Sequence, residues 1–176
     1  MKAWELQDRG FDNLRLVERP TPQPGPDDLL VRVSAVSLNH RDEGIILGDY
    51  FPQQPQLSQT PLIIVSDAAG IVAEAGVEVS RFKEGDRVTT HLFSRWIDGE
   101  PGSHEEKYSL GGPLPGGLAE YMVVHEDAAV ATPTSLSDAD ASTLPIAALT
   151  AWFSLVDLRE LQAGHTALGW AGCAGG

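Results

Sequence analysis

Over roughly the first three quarters of the chain, apolar positions come in short runs broken by turn-forming residues. Met1 to Val17 predicts a short strand, a turn at Asp8–Gly10 and a second strand around Leu14–Val17. The prolines of the next segment, RPTPQPGPDD, remove backbone donors and fix φ, so it reads as an extended, non-helical connection. Leu29, Val31, Val33 and Ala35 alternate with Leu30, Arg32 and Ser34, the two-residue period of a half-buried strand. Ser37 to Gly48 is less regular and suggests a short helix near Arg41–Leu47. Ile63–Val65, Gly70–Ala73, Arg87–Phe93 and Ala119–Val124 read as further strands, and the polar, glycine-rich Ser94–Pro115 reads as a loop. Many short strands with glycine turns imply a β-barrel or sandwich.

The period changes after Pro133. Ser137 and Asp140 have the spacing of a capping box. Leu144, Ala148, Ala151, Leu155 and Leu158 then recur at helical spacing, with Gly164 as a stop signal. Trp152, at the same spacing, is expected in the core, and Thr166–Leu168 is expected to start one more strand.

The length of 176 residues fits one domain, or one domain plus a fragment, and is enough to bury a sizeable core. A net charge of −13 has the wrong sign for nucleic acid or an anionic membrane, so neither is an expected partner. The N-terminus MKAWELQDRG lacks the apolar stretch of a signal peptide, and no run approaches transmembrane length. The single cysteine, Cys173, suits a reducing compartment, and the expected location is the cytoplasm. His40, His91, His104, His125 and His165 show no metal-ligand spacing.

The ordered series NHRD, PLIIVSDAAGIV, FKEGDRV, GGLAEYMVV and LPIAALTAW resembles the catalytic domain of the medium-chain dehydrogenase/reductase family. The resemblance implies a mainly β fold with some helix. A GroES-like β-barrel catalytic domain would occupy residues 1–133, with linking helices and the truncated start of a Rossmann domain over 134–176. In zinc-dependent members the catalytic cysteine would fall at Asn39, the histidine at Ser66 and a further cysteine near Ile146. A catalytic zinc takes about three nitrogen, sulfur or carboxylate ligands. Isoleucine offers none, and an amide and a hydroxyl are poor ones, so no zinc is expected. The likeness therefore narrows to the zinc-independent, quinone-oxidoreductase-like branch. That branch's Asn-x-x-Asp, glycine and tyrosine motif falls on Asn39, Asp42, Gly48 and Tyr50, with Phe51 interrupting the Tyr-Pro step to Pro52. Gly44 stands where relatives often carry a larger side chain, which would widen the pocket.

What the resemblance implies is NADP-dependent hydride transfer to a quinone, enone or other carbonyl compound. Asn39 would donate its amide N–H toward the cofactor carboxamide or the substrate oxygen, Tyr50 would donate a phenolic proton, and Asp42 would orient them. Thr150 resembles a position that touches the nicotinamide ring, and Gly172 and Gly175 would belong to the phosphate turn. Blander readings of the same residues stay open. Asn39 and Asp42 suit a turn bonded to its own backbone, Thr150 a helix threonine bonding backward, and Asp67 either a site wall or an acceptor for backbone donors. Arg41 could hold a phosphate or carboxylate group, but a solvated surface arginine is the favoured expectation. A phosphate-cradling turn needs a strand, a glycine loop and a helix, and Ala171–Gly176 offers only the loop, so the chain alone is expected to be nearly inert. A non-catalytic GroES-like binding or assembly module is one rival. The other is a functionless truncated product that self-associates through an uncovered helix over 144–160. A homo-oligomer is compatible with any of these.

Overall fold

The computed structural model describes residues 1–50, 61–100 and 105–167. Two antiparallel sheets account for its strands. β1 (Lys2–Leu6) lies between β2 (Leu14–Glu18) and β4 (Leu62–Ile63) in the smaller sheet. In the larger, β3 (Asp28–Ser37) and β5 (Asp67–Ala75) lie side by side. β7 (Tyr121–His125) flanks β3, while β6 (Arg87–Thr90) and then β8 (Ala129–Ala131) flank β5. The expected mainly β, GroES-like fold is the one observed.

Alternation survives where a strand has one wet face. In β1, Lys2 and Trp4 are exposed while Ala3 and Leu6 are buried. It fails at the start of β3, where Leu29, Leu30 and Val31 are all buried. There the register against β5 shifts between Leu30 and Val31 and again between Val33 and Ala35, and such bulges re-aim side chains.

Three consecutive amides join the two sheets. Gly116 N donates to Ile63 O at 2.7 Å, Gly117 N to Val65 O at 2.7 Å and Leu118 N to Ile64 O at 3.1 Å. Trp4 N then donates to Leu118 O at 2.9 Å, and Ala3 bridges Ala119. One apolar cluster, including Leu29, Val31, Val72, Val88, Met122 and Val124, fills the larger sheet. A second joins Leu6 of β1 to Leu62, Ile64 and Val65 and to Ile45 and Ile46 of helix α1 (His40–Leu47). The anticipated short helix is thus present, and it ends at Gly48, where φ is +85°.

Helix α2 (Asp138–Ser142) begins as its capping pattern predicts: Ser137 Oγ accepts the N–H of Asp140 at 3.1 Å. Arg87 ties this helix to β6, donating to Asp138 Oδ1 from Nε at 3.0 Å and from Nη2 at 2.5 Å. The helical stretch beyond is not one regular helix. Wide turns at Leu144–Ala148 and Phe153–Asp157 flank a short α3 (Leu149–Trp152), and Pro145 lies within the first of them.

Two expectations need correction. Trp152 is 60% exposed, with Leu149, Phe153 and Leu158 exposed beside it. Helical spacing identifies an apolar face but not what covers it, and among the described residues this face is open. The described residues of Ser94–Pro115 hold no named strand or α-helix, as the loop reading expects, and the loop is anchored: Leu110 N donates to Leu92 O at 2.9 Å, Ser94 N to Tyr108 O at 3.0 Å, and Ser94, Ser109 and Leu110 are buried. Thr166 and Ala167 form no strand, and Leu168 lies outside the described residues. No helix of the described residues is long and apolar enough to cross a membrane.

Candidate functional site

The site grows from the turn between β4 and β5. Val65 is fully buried with φ +75°, a rare backbone region for a β-branched residue. Such strain persists only where the surroundings over-determine it. Here a Cβ on Gly111 would come within 2.7 Å of the Val65 backbone, and one on Gly116 within 2.2 Å of Val65 O. Only glycine fits on either side. This clamp turns the chain so that Ser66 and Asp67 follow into the interior, where Thr90 Oγ1 donates to Ser66 O at 2.9 Å.

Asp67 is completely buried and gathers three segments. Its Oδ1 accepts from Ser66 Oγ at 2.8 Å, its Oδ2 accepts the N–H of Ile146 at 3.1 Å, and the Asn39 side-chain amide also hydrogen-bonds it. The residues predicted at the three zinc-ligand positions, Asn39, Ser66 and Ile146, therefore do converge. They converge on a carboxylate, and they supply an amide, a hydroxyl and a backbone N–H. All three are donors turned toward Asp67, a poor set for a cation. Among the described residues no group of three His, Cys, Asp or Glu side chains has a metal-holding arrangement. Burial pushes the Asp67 carboxyl above its ordinary range, against the opposing pull of Ser66, Asn39, Ile146 and Arg41.

Asn39 and Asp42 fold back on their own backbone. Asp42 Oδ2 accepts the Asn39 N–H at 2.8 Å and Asp42 N donates to Asn39 O at 2.9 Å, which starts α1. The turn-forming reading of this pair is therefore correct. The amide of Asn39 is half-buried and faces Asp67, so a site role remains available to it as well. Asp42 is buried, and burial raises its pKa too.

The surface assignment of Arg41 is overturned. Only 6% of it is exposed, and it donates from Nη1 to Leu110 O at 3.0 Å and from Nη2 to Gly112 O at 3.2 Å. Its guanidinium carbon lies 5.4 Å from the ring centroid of Tyr50, the Tyr50 phenol hydrogen-bonds it, and Asp42 Oδ1 stands 3.9 Å from Nη1. Burial lowers its pKa, opposed by Asp42, Tyr50 and Asp67, and an arginine so flanked stays charged. Tyr50 itself is half exposed. Its backbone N and that of Asp49 both donate to Gly44 O, and a Cβ on Gly44 would come within 3.2 Å of Tyr50 Cβ. Gly44 therefore makes room for Tyr50 to pack on α1.

A cleft of about 440 Å3 opens on the other side of Ile146, between the 91–99 segment and the turn that leads into α3. Phe93, Trp96, Ile97, Leu149 and Thr150 line it, the first two rings meeting edge to face at 5.9 Å. Thr150 is exposed on its wall, whereas Asn39, Asp42 and Tyr50 are not among its lining residues. Asn39 reaches it only through Asp67 and Ile146. Gly172 and Gly175 lie outside the described residues, as do Phe51 and Pro52. Sequence reading missed the buried Arg41; of Asp67 it anticipated the bond from a backbone donor but not the gathering of the Ser66 and Asn39 side chains on it. A sequence signal did exist for this gathering, an acidic residue in the otherwise apolar PLIIVSDAAG.

Residues 25–134 match the alcohol dehydrogenase GroES-like domain. The chain belongs to the medium-chain dehydrogenase/reductase family. It is 38% identical over 154 residues to a zinc-type alcohol dehydrogenase-like protein of Schizosaccharomyces pombe, covering 87% of this chain and 43% of that protein. Similarity to a chloroplastic quinone-oxidoreductase homolog of Spinacia oleracea is 36% over 153 residues, covering 87% and 40%. A crystal structure from Sinorhizobium meliloti 1021, whose alcohol dehydrogenase assignment is itself provisional, superposes with a TM-score of 0.83. It is 40% identical and covers 93% of this chain and 48% of its own. The chain thus spans about two fifths of the length of the curated relatives it matches.

Proposed function

We propose that the chain is the substrate-side part of an oxidoreductase that moves a hydride from NADPH, which leaves as NADP, to a quinone, an enone or another carbonyl compound without zinc. Residues 1–133 would be the catalytic unit, and 134–176 would lead into the nucleotide-binding part. The observation that carries this reading is the donor set around Asp67: an amide, a hydroxyl and a peptide N–H stand where a metal would need ligands. Such donors can hold and polarise an oxygen but not a zinc ion.

The nicotinamide supplies the hydride when bound, and the protein's part is orientation. On this reading Asn39 turns an amide N–H from Asp67 or Ser37 O to the carboxamide or the acceptor oxygen, Tyr50 offers the phenolic proton, and Asp42 fixes the Asn39 backbone. Thr150, on the wall of the aromatic cleft, offers its hydroxyl toward the nicotinamide ring. Similarity to proteins named quinone oxidoreductases supports the acceptor class. Hydride transfer needs donor and acceptor about 3–3.5 Å apart, so the chain alone is expected to be nearly inert.

Three measurements on the purified chain test this. Elemental analysis is expected to find zinc far below one equivalent. NADPH oxidation with 1,4-benzoquinone is expected to run at the uncatalysed rate. Cyclohexanone is expected to shift the Asn39 side-chain amide resonance. One tightly held zinc per chain, or no response of Asn39, defeats the proposed donor role; saturable NADPH binding with turnover defeats the incomplete-site reading.

A further inference from the structure

Arg41 is the one strongly basic side chain drawn into this acidic junction, and its contacts reach segments far apart in sequence. Its fork closes on two carbonyls of the 110–112 turn, and one face lies against the Tyr50 ring. The same turn is held from within by Ser109 Oγ donating to Gly112 O, and Gly111 forms one side of the Val65 clamp. A guanidinium only donates, so in its contact with Tyr50 the phenol oxygen is the acceptor. Tyr50 itself is half exposed and follows the Gly48 turn, packed on α1 at Gly44.

We infer that Arg41 is the positioning residue of the site, fixing the Tyr50 phenol and the 110–112 turn relative to Asn39 and Asp67. A functional role for this hold rests on the reading of Tyr50 as a proton donor; the hold itself does not. Lysine at this position would keep the charge but lose the planar fork that reaches two carbonyls and stacks on a ring. An arginine kept only to satisfy the two carbonyls would give a different result: its loss would lower stability without changing the surroundings of Tyr50.

The test uses the 176-residue chain labelled with 3-fluorotyrosine, which has three tyrosines, Tyr50, Tyr108 and Tyr121. Tyr50→Phe assigns its fluorine signal. Arg41→Lys is expected to move the Tyr50 signal while leaving that of Tyr121 in place. Because Arg41→Lys leaves buried groups without partners, a second measurement avoids the risk of unfolding. Tyr50→Leu, at a half-exposed position, is expected to shift the 15N guanidinium resonances of Arg41. A Tyr50 signal unmoved by Arg41→Lys, or Arg41 resonances unmoved by Tyr50→Leu, overturns the inference.

Binding of cyclohexanone then tests the functional side. Arg41→Lys and Tyr50→Phe are each expected to weaken it about five- to tenfold, the loss of roughly one hydrogen bond. The double variant is expected to bind no worse than the weaker single, and losses that multiply overturn the inference. If Tyr50→Phe leaves binding unchanged while the resonances move as stated, the donor role of Tyr50 falls and the hold of Arg41 on it stands.

Discussion

Gly116→Ala is the sharpest perturbation of the seam between the sheets. The added Cβ would lie 2.2 Å from Val65 O, 2.4 Å from Ile64 O and 2.6 Å from Ile64 C, all backbone atoms that no rotamer change can clear. The two segments must part by about 1 Å to reach ordinary contact, which disrupts the three amide bonds from 116–118 to 63–65. At about 0.5–1.5 kcal/mol per net hydrogen bond, that loss is about 2–4 kcal/mol. Overpacking adds about 1–3 kcal/mol. A total near 3–7 kcal/mol is a large share of the ~5–15 kcal/mol that holds a domain folded. With a urea slope of about 1–3 kcal/mol per molar, the unfolding midpoint should drop by about 2 M. Gly85→Ala is the control, since φ there is +90° but nothing lies within 4 Å of its added Cβ, so only the backbone term of about 1–2 kcal/mol applies. Equal midpoints for the two variants would refute the steric account of the seam.

Other predictions follow from the charged groups and the open helix. Burial raises the folded pKa of Asp42 and Asp67 above 3.8, so the stability they contribute is complete below about that pH and is lost as pH rises through the raised values. The stability gap between the native chain and Asp67→Asn should therefore widen on acidification, and urea midpoints measured from pH 3 to 7 check the sign. Hydrogen bonding to Arg87 lowers the Asp138 pKa, so its contribution is present above 3.8 and is lost as pH falls through the lowered value. Because that pair is partly exposed, Asp138→Asn should cost about 1 kcal/mol at neutral pH and nothing near pH 2. Exposed Leu149, Trp152 and Phe153 should bind a hydrophobic dye such as ANS, and Leu149→Ser with Trp152→Ser should remove most of that fluorescence.

Much of the architecture was legible because its causes are local. Period-two alternation marked β3, the stretch before Gly48 marked a short helix, and Ser137 marked the start of α2. The site was legible by position but less so by partnership. Asn39 and Asp42 announced a turn, and the turn is there; their link to Asp67 depends on a strand that begins far along the chain. Arg41 was misassigned because a charged side chain in a polar tetrapeptide normally stays in water. What draws it in are carbonyls of a turn some seventy residues away. Trp152 erred the other way, since an apolar stripe shows which face seeks cover but not whether cover is supplied.

The bent backbone at Val65 has a kinetic consequence. The residues that press it into shape come from beyond position 110, and the groups it presents meet partners near positions 39 and 146. Distant stretches must close large loops before these polar groups can assemble, which is entropically slow. This corner should therefore be a late-forming and early-lost feature, so its hydrogen-exchange protection reports whether the whole β-framework is intact.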